Sequence, residues 1–250
     1  MKRKHFTLSS ILLGIMLFAG NQAWAQKDTT MWMVMNEYRV HDQSIFEKNY
    51  PVVRAFWLKA DTGTSDRIGH TSESGRVYTL ALFKGAQNFG AFMGKRVKIN
   101  DAFEKAQPAI NKQNTQNLNG AVVRSIWVRV DSLSRFEPGY KMVNYDFRKM
   151  NMISVTADKI KEYEANAYKL GQMDDAHGIH YNVAVFRCTE GYPTNTYLVF
   201  LPDKSLMDYY KNRDMRYSKR AQFKNDYDPM RRLATDLSLI VRIDHLDRVK

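Results

Sequence analysis

Two stretches of this 250-residue chain carry the same three kinds of side chain in the same order: Glu37-Tyr38-Arg39 within NEYRV, and Asp146-Phe147-Arg148 within YDFRK. In an extended strand, alternation puts Glu37 and Arg39 on one face and Tyr38 on the other, and likewise Asp146 and Arg148 against Phe147. A carboxylate beside a guanidinium can orient a polar ligand, the arginine gripping an acid group through two parallel hydrogen bonds. The same two groups can instead satisfy each other as an ion pair on the rim of a sheet. Arg124 is expected as the near neighbour of Glu37 across the sheet. Two histidines form the second candidate set, His70 ending IGH and His180 ending GIH. Imidazole serves as a base or as an axial ligand, and it also caps strands and bonds loop carbonyls. His177 precedes His180 by one helical turn. The candidate ligand-binding residues are therefore His70, His180, Glu37, Arg39, Asp146 and Arg148, with no catalytic role assigned.

Several chemistries leave no trace. No H-x-x-x-H pair and no paired cysteines support a closed metal site, so no metal is expected. There is no G-x-S-x-G elbow, no P-loop and no dinucleotide-type glycine fingerprint. Cys188 is the only cysteine, which excludes an intramolecular disulfide and leaves stability to a core. Lying in VAVFRCTEG, it reads as a small buried residue.

The elements that must position these groups are written twice. Ser125, Val128, Arg129, Asp131, Leu133 and Arg135 match Ser238, Val241, Arg242, Asp244, Leu246 and Arg248 at one constant offset. The triplets match at nearly the same spacing, as do His70 and His180, and RVYTLALF faces NTYLVFLP through Tyr78 and Tyr197 after an insertion placed around TEGYPTN. Ordered matches of this kind indicate an internal duplication of about 110 residues. The pairs Arg129/Asp131 and Arg242/Asp244 read as strand-end features.

The first unit opens with the strand-like MWMVMNEYRV, then a helix in which Ser44 and Glu47 have capping-box spacing and Phe46, Tyr50, Val53 and Trp57 recur every three or four residues. Pro51 has to lie near the start of that helix or kink it. Two strands follow, around His70 and over residues 77–83, then a helix with Phe89, Phe92, Met93 and Phe103, and the strand AVVRSIWVRV. The second unit repeats this with KMVNYDF, a helix carrying Ile160, Tyr163, Ala167 and Leu170, then HYNVAVFRC, TYLVFL, a helix begun by Ser205, and LSLIVRI. SLSRFEPG joins the two.

The order β-α-β-β-α-β, twice, is the ferredoxin-like unit, whose helices cover one face of the sheet and leave the other to be covered. The predicted fold class is α+β: two tandem ferredoxin-like repeats, residues 26–137 and 138–250, packed as a pseudo-dimer. Two independent domains on a linker are the alternative, against which the short join argues. The element order and the duplication resemble the dimeric α+β barrel superfamily. The strand ending in Tyr38-Arg39 before an acidic amphipathic helix is most similar to its antibiotic-biosynthesis-monooxygenase-like and NIPSNAP-like groups. That resemblance implies a cavity between sheet and helices for a small, often aromatic ligand. Some members oxidise such a ligand without a cofactor, others bind haem, and fold alone does not choose among them. No cofactor is expected here, haem being the one that the resemblance would admit.

The beginning of the chain reads as a secretory signal over residues 1–25: Lys2, Arg3 and Lys4, an apolar run from Leu8 to Ala19, and Ala23-Trp24-Ala25 before Gln26. That run is short of the roughly 20 residues that span a bilayer. The expected protein is exported, periplasmic or secreted, without a membrane-spanning segment after cleavage. The formal charge is +12, and loss of the three leader cations leaves +9. The densest basic stretch, KNRDMRYSKRAQFK, reads as a solvated helix face or as a contact for anionic glycans or lipid head groups; nucleic acid is not an expected partner of an exported chain. Three functions remain: binding of a small apolar or aromatic molecule, a monooxygenase-like or isomerase-like enzyme, and a non-catalytic envelope interaction protein.

Overall fold

The computed structural model describes residues 28–250; the signal read over residues 1–25 lies outside them. The first repeat runs β1 (Met31–Arg39), α1 (Gln43–Ala60), β2 (Thr64–Ser72), β3 (Arg76–Lys84), α2 (Ala86–Ala106), α3 (Pro108–Gln116) and β4 (Val123–Arg129). The second runs β5 (Phe147–Val155), α4 (Ile160–Ala176), β6 (Ala184–Glu190), β7 (Thr196–Asp203), α5 (Leu206–Gln222), α6 (Lys224–Leu237) and β8 (Ser238–Arg248). Each repeat thus has a further helix before its last strand. Pro108 at the first turn of α3 ends one axis and begins another, because proline cannot continue the hydrogen-bond ladder of α2. Pro51 lies inside α1, and the side chain that caps this helix is Asp42, accepting from the Ser44 amide at 2.8 Å, rather than Ser44 itself.

All eight strands form one closed antiparallel barrel in the order β1-β3-β2-β8-β5-β7-β6-β4. Each repeat contributes four neighbouring strands, and the repeats meet edge to edge through β2 with β8 and β4 with β6. Closure removes the unpaired edges that two separate sheets would expose. The inward residues of both repeats make one core, including Met33, Met35, Leu80, Trp127, Met150, Phe186, Leu198 and Phe200. The outward residues pack under helices, Val34, Ala81 and Phe83 against Trp57 and Phe92 in the first repeat, Val155, Val185 and Tyr197 against Tyr163 in the second.

Three expectations need correction. KMVNYDF is not a strand: Met142–Asn144 is a single 3-10 turn and β5 begins at Phe147. The linker is therefore longer than SLSRFEPG, and it lies across the barrel end where β4 stops and β5 starts, with Phe136 and Met142 packed on the core. The duplication is real in element order, but the residue pairing was out of phase. Tyr78 points into the barrel core whereas Tyr197 packs under the helices. Nor is there a long insertion between β6 and β7, which are joined by residues 191–195 where β2 and β3 are joined by residues 73–75.

Candidate functional site

Four of the six sequence-selected residues fall inside or at the ends of the barrel. His70, in the last third of β2, and Arg148, second in β5, are both fully buried, and Arg148 Nη1 lies 3.0 Å from His70 Nε2. A guanidinium only donates, so Nε2 accepts and the imidazole is neutral with its proton on Nδ1. Burial, followed by the Arg148 charge, holds the His70 pKa well below 6.5. The second Arg148 terminal nitrogen donates to the Met142 carbonyl, and Arg248 donates to that of Val143, so two arginines clamp the linker turn.

Glu37 lies at the opposite end of the barrel from Asp146, because β1 ends there while β5 begins at the linker end. It accepts from both Arg242 terminal nitrogens at 3.1 and 2.8 Å, from Tyr192 at 3.2 Å, and pairs with Arg76 at 3.1 Å. Arg242 also meets Asp244 at 2.9 Å, and Asp244 accepts from Tyr78, Ser72 and Ser74 at 3.0, 3.0 and 2.7 Å. Burial works against the Asp244 carboxylate, but Ser74 and Arg242 hold its pKa below the ordinary value. This ion-pair network occupies the charged end of the barrel. Arg242 and Asp244, read as strand-end residues, are its centre. Arg124 sits on the other face and donates to Asn36 at 2.9 Å. Asp146 is held by Arg248 and Lys250 at 3.0 and 2.9 Å.

The other two do not join them. Arg39 is exposed at the end of β1, and His180 is exposed in the loop before β6, so neither matches its proposed counterpart. His177 stacks on Phe223 at 3.7 Å. In the basic stretch, Arg220 is committed to Asp174, Arg216 lies over the Tyr181 ring, and Lys219 donates to the Gly178 carbonyl. It is largely an intramolecular network.

The most unusual chemistry lies in the cleft between the first sheet and its helices. There a cavity of 220 Å³ is lined by Tyr38, Phe46, Tyr50, Trp57, Arg67 and Asn114 among others. A void of 120 Å³ shares Tyr38, Trp57, Arg67 and Asn100 with it and adds Arg96 and Arg124. No aspartate or glutamate lines either. Arg67, on the outward face of β2, is 7% exposed, stacks 4.3 Å above the Trp57 ring, and makes no ion pair among the described residues. Its Nε and the Tyr50 hydroxyl are buried without a hydrogen-bond partner. Burial lowers the Arg67 pKa and raises that of Tyr50, leaving a cation and a neutral phenol. Gly69 makes the cleft possible: a Cβ there would stand 2.4 Å from the Tyr50 ring. Sequence reasoning missed Arg67, although alternation places this arginine on the helix-facing side, where an apolar residue is expected.

The corresponding cleft of the second repeat is larger, 620 Å³, and differs in kind. At its polar end Asp174 is saturated by Arg135 at 3.1 Å, Arg220 at 2.9 and 2.5 Å, and Tyr181 and Tyr227 at 3.0 Å each. No histidine or cysteine lines either cleft, so a haem there would have to take its axial donor from a tyrosine or, in the first cleft, from Met93.

No family model matches the chain, and no curated protein matches it. Solved structures do. A candidate monooxygenase from Fusobacterium nucleatum subsp. nucleatum has a TM-score of 0.55 at 13% identity, covering 89% of this chain and 94% of that one. An anthrone oxidase-like protein has 0.53 at 11%, covering 89% and 92%. A candidate chlorite dismutase has 0.52 at 9%, covering 89% and 96%. The chain has the fold of these proteins, the dimeric α+β barrel, with both halves in one polypeptide.

Proposed function

We propose that this is an exported protein that binds a small aromatic or apolar anion in the cleft of its first repeat. The observation that carries this reading is the buried Arg67 guanidinium, in a cleft with two further arginines and no carboxylate. An unpaired buried cation is costly, and a bound anion would offset that cost. The Trp57, Phe46 and Tyr50 rings supply apolar surface, and the Asn100 and Asn114 carboxamides supply hydrogen bonds. A cavity of about 150 Å³ accommodates benzene, so 220 Å³ suits a one-ring acid. Amide shift mapping with benzoate tests the placement. Saturable shifts are expected around Trp57, Arg67 and Asn114, and shifts confined to the second repeat would remove the support for it.

The solved neighbours favour a second reading, in which the same cleft oxidises its ligand. Two of them are described as monooxygenase or anthrone oxidase-like. Oxygen uptake with anthrone as substrate tests it: uptake lost in Arg67→Met supports it, and no uptake above the uncatalysed rate counts against it.

A further inference from the structure

We propose that the barrel mouth under the linker is a second binding site, for an apolar alcohol or phenol. A cavity of 620 Å³ opens there, floored by Leu82, Ala184 and Phe186 of the barrel and roofed by Phe136, Tyr140 and Met142 of the linker. It is separate from the helix–sheet cleft: Arg67, Trp57 and Tyr50 do not line it.

Arg54, Ser65, Arg129, Glu137 and Lys141 also line this space, and two of its other polar groups are left for a ligand's hydroxyl. The Tyr140 hydroxyl is buried and has no hydrogen-bond partner. Asp66 makes no ion pair among the described residues, and its one hydrogen bond from the chain is the Arg67 amide at 2.8 Å. Burial raises the pKa of both, that of Tyr140 to about 12. A hydroxyl is both donor and acceptor, so it can donate to the Asp66 carboxylate and accept from a phenol such as Tyr140. A hydrocarbon would leave both groups unsatisfied. Methionines on floor and roof, Met31 and Met142, adapt to the shape of the apolar part.

The roof is held rather than fused. Arg148 and Arg248 grip it through the carbonyls of Met142 and Val143, and Glu137 N donates to Asn182 at 2.9 Å.

The test is calorimetric titration of the full chain with 4-propylphenol and with propylbenzene. Saturable binding of the phenol is expected, at least tenfold tighter than the hydrocarbon. Ala184→Leu, which fills the floor, should weaken it at least tenfold, Asp66→Asn should weaken it severalfold, and Arg67→Met should leave it unchanged. Absence of phenol binding overturns the proposal, as does a loss in Arg67→Met with Ala184→Leu unaffected, which would return the probe to the cleft. Should Ala184→Leu not fold, amide exchange over residues 136–145 of the unmodified chain decides: slowing by 4-propylphenol supports the site, and unchanged exchange overturns it.

Discussion

Arg148 of the second repeat donates to His70 of the first across 3.0 Å of barrel interior, and both side chains are completely buried. The bond joins the β2–β8 seam to the linker turn, whose Met142 carbonyl the same guanidinium holds. It requires a neutral imidazole, because protonated His70 would present a second donor and a second positive charge to Arg148.

Acid should therefore weaken the fold at this seam. The folded pKa of His70 is depressed below the 6.5 of the unfolded chain, so its contribution is complete above that pH and is lost as the pH falls toward the folded value. Urea midpoints between pH 7.5 and 5 should decline, and His70→Gln, which keeps an acceptor for Arg148, should decline less steeply. Equal slopes for the two proteins would show that His70 does not titrate on unfolding.

Glu37→Gln should destabilise the charged end of the barrel by about 3 kcal/mol, read from denaturant midpoints. Arg76 and Arg242 retain some contact with water, which keeps the figure at the low end for breaking a buried ion pair. A change below about 0.5 kcal/mol would place this pair with ordinary surface ion pairs.

Gly69→Ala should force the Tyr50 ring out of its position, costing about 1–3 kcal/mol as overpacking does, and should narrow the first cleft. Thermal unfolding measures the cost, and loss of benzoate-induced shifts measures the narrowing. Unaltered benzoate binding would mean that Tyr50 has room to retreat without entering the cavity.

The architecture was legible because a twofold repeat of helix- and strand-period patterns leaves few arrangements in which both sheets bury their second face. The alignment within it was not. A short match such as Glu37-Tyr38-Arg39 with Asp146-Phe147-Arg148 is blind to where a strand begins, and the alternation in KMVNYDF imitates a strand in a segment whose carbonyls are taken by Arg148 and Arg248. His70 and Arg148 were selected as members of two supposed pairs, yet they bond to each other, a contact between residues far apart in the chain that no spacing encodes. Arg67 was not among the residues matched between the repeats and so gave no signal by comparison. Only its place in the alternation of IGH and its flanks marked it.

Arg67→Met tests the central claim most directly, with stability and benzoate affinity measured on the same preparation. Met keeps much of the volume and removes the charge. The unliganded chain should be at least as stable as the original, because a buried unpaired cation has gone, while benzoate affinity should fall thirtyfold or more, about 2 kcal/mol. A marked loss of stability with benzoate affinity intact would contradict the account, making Arg67 a structural partner of Trp57 and not the group that receives an anion.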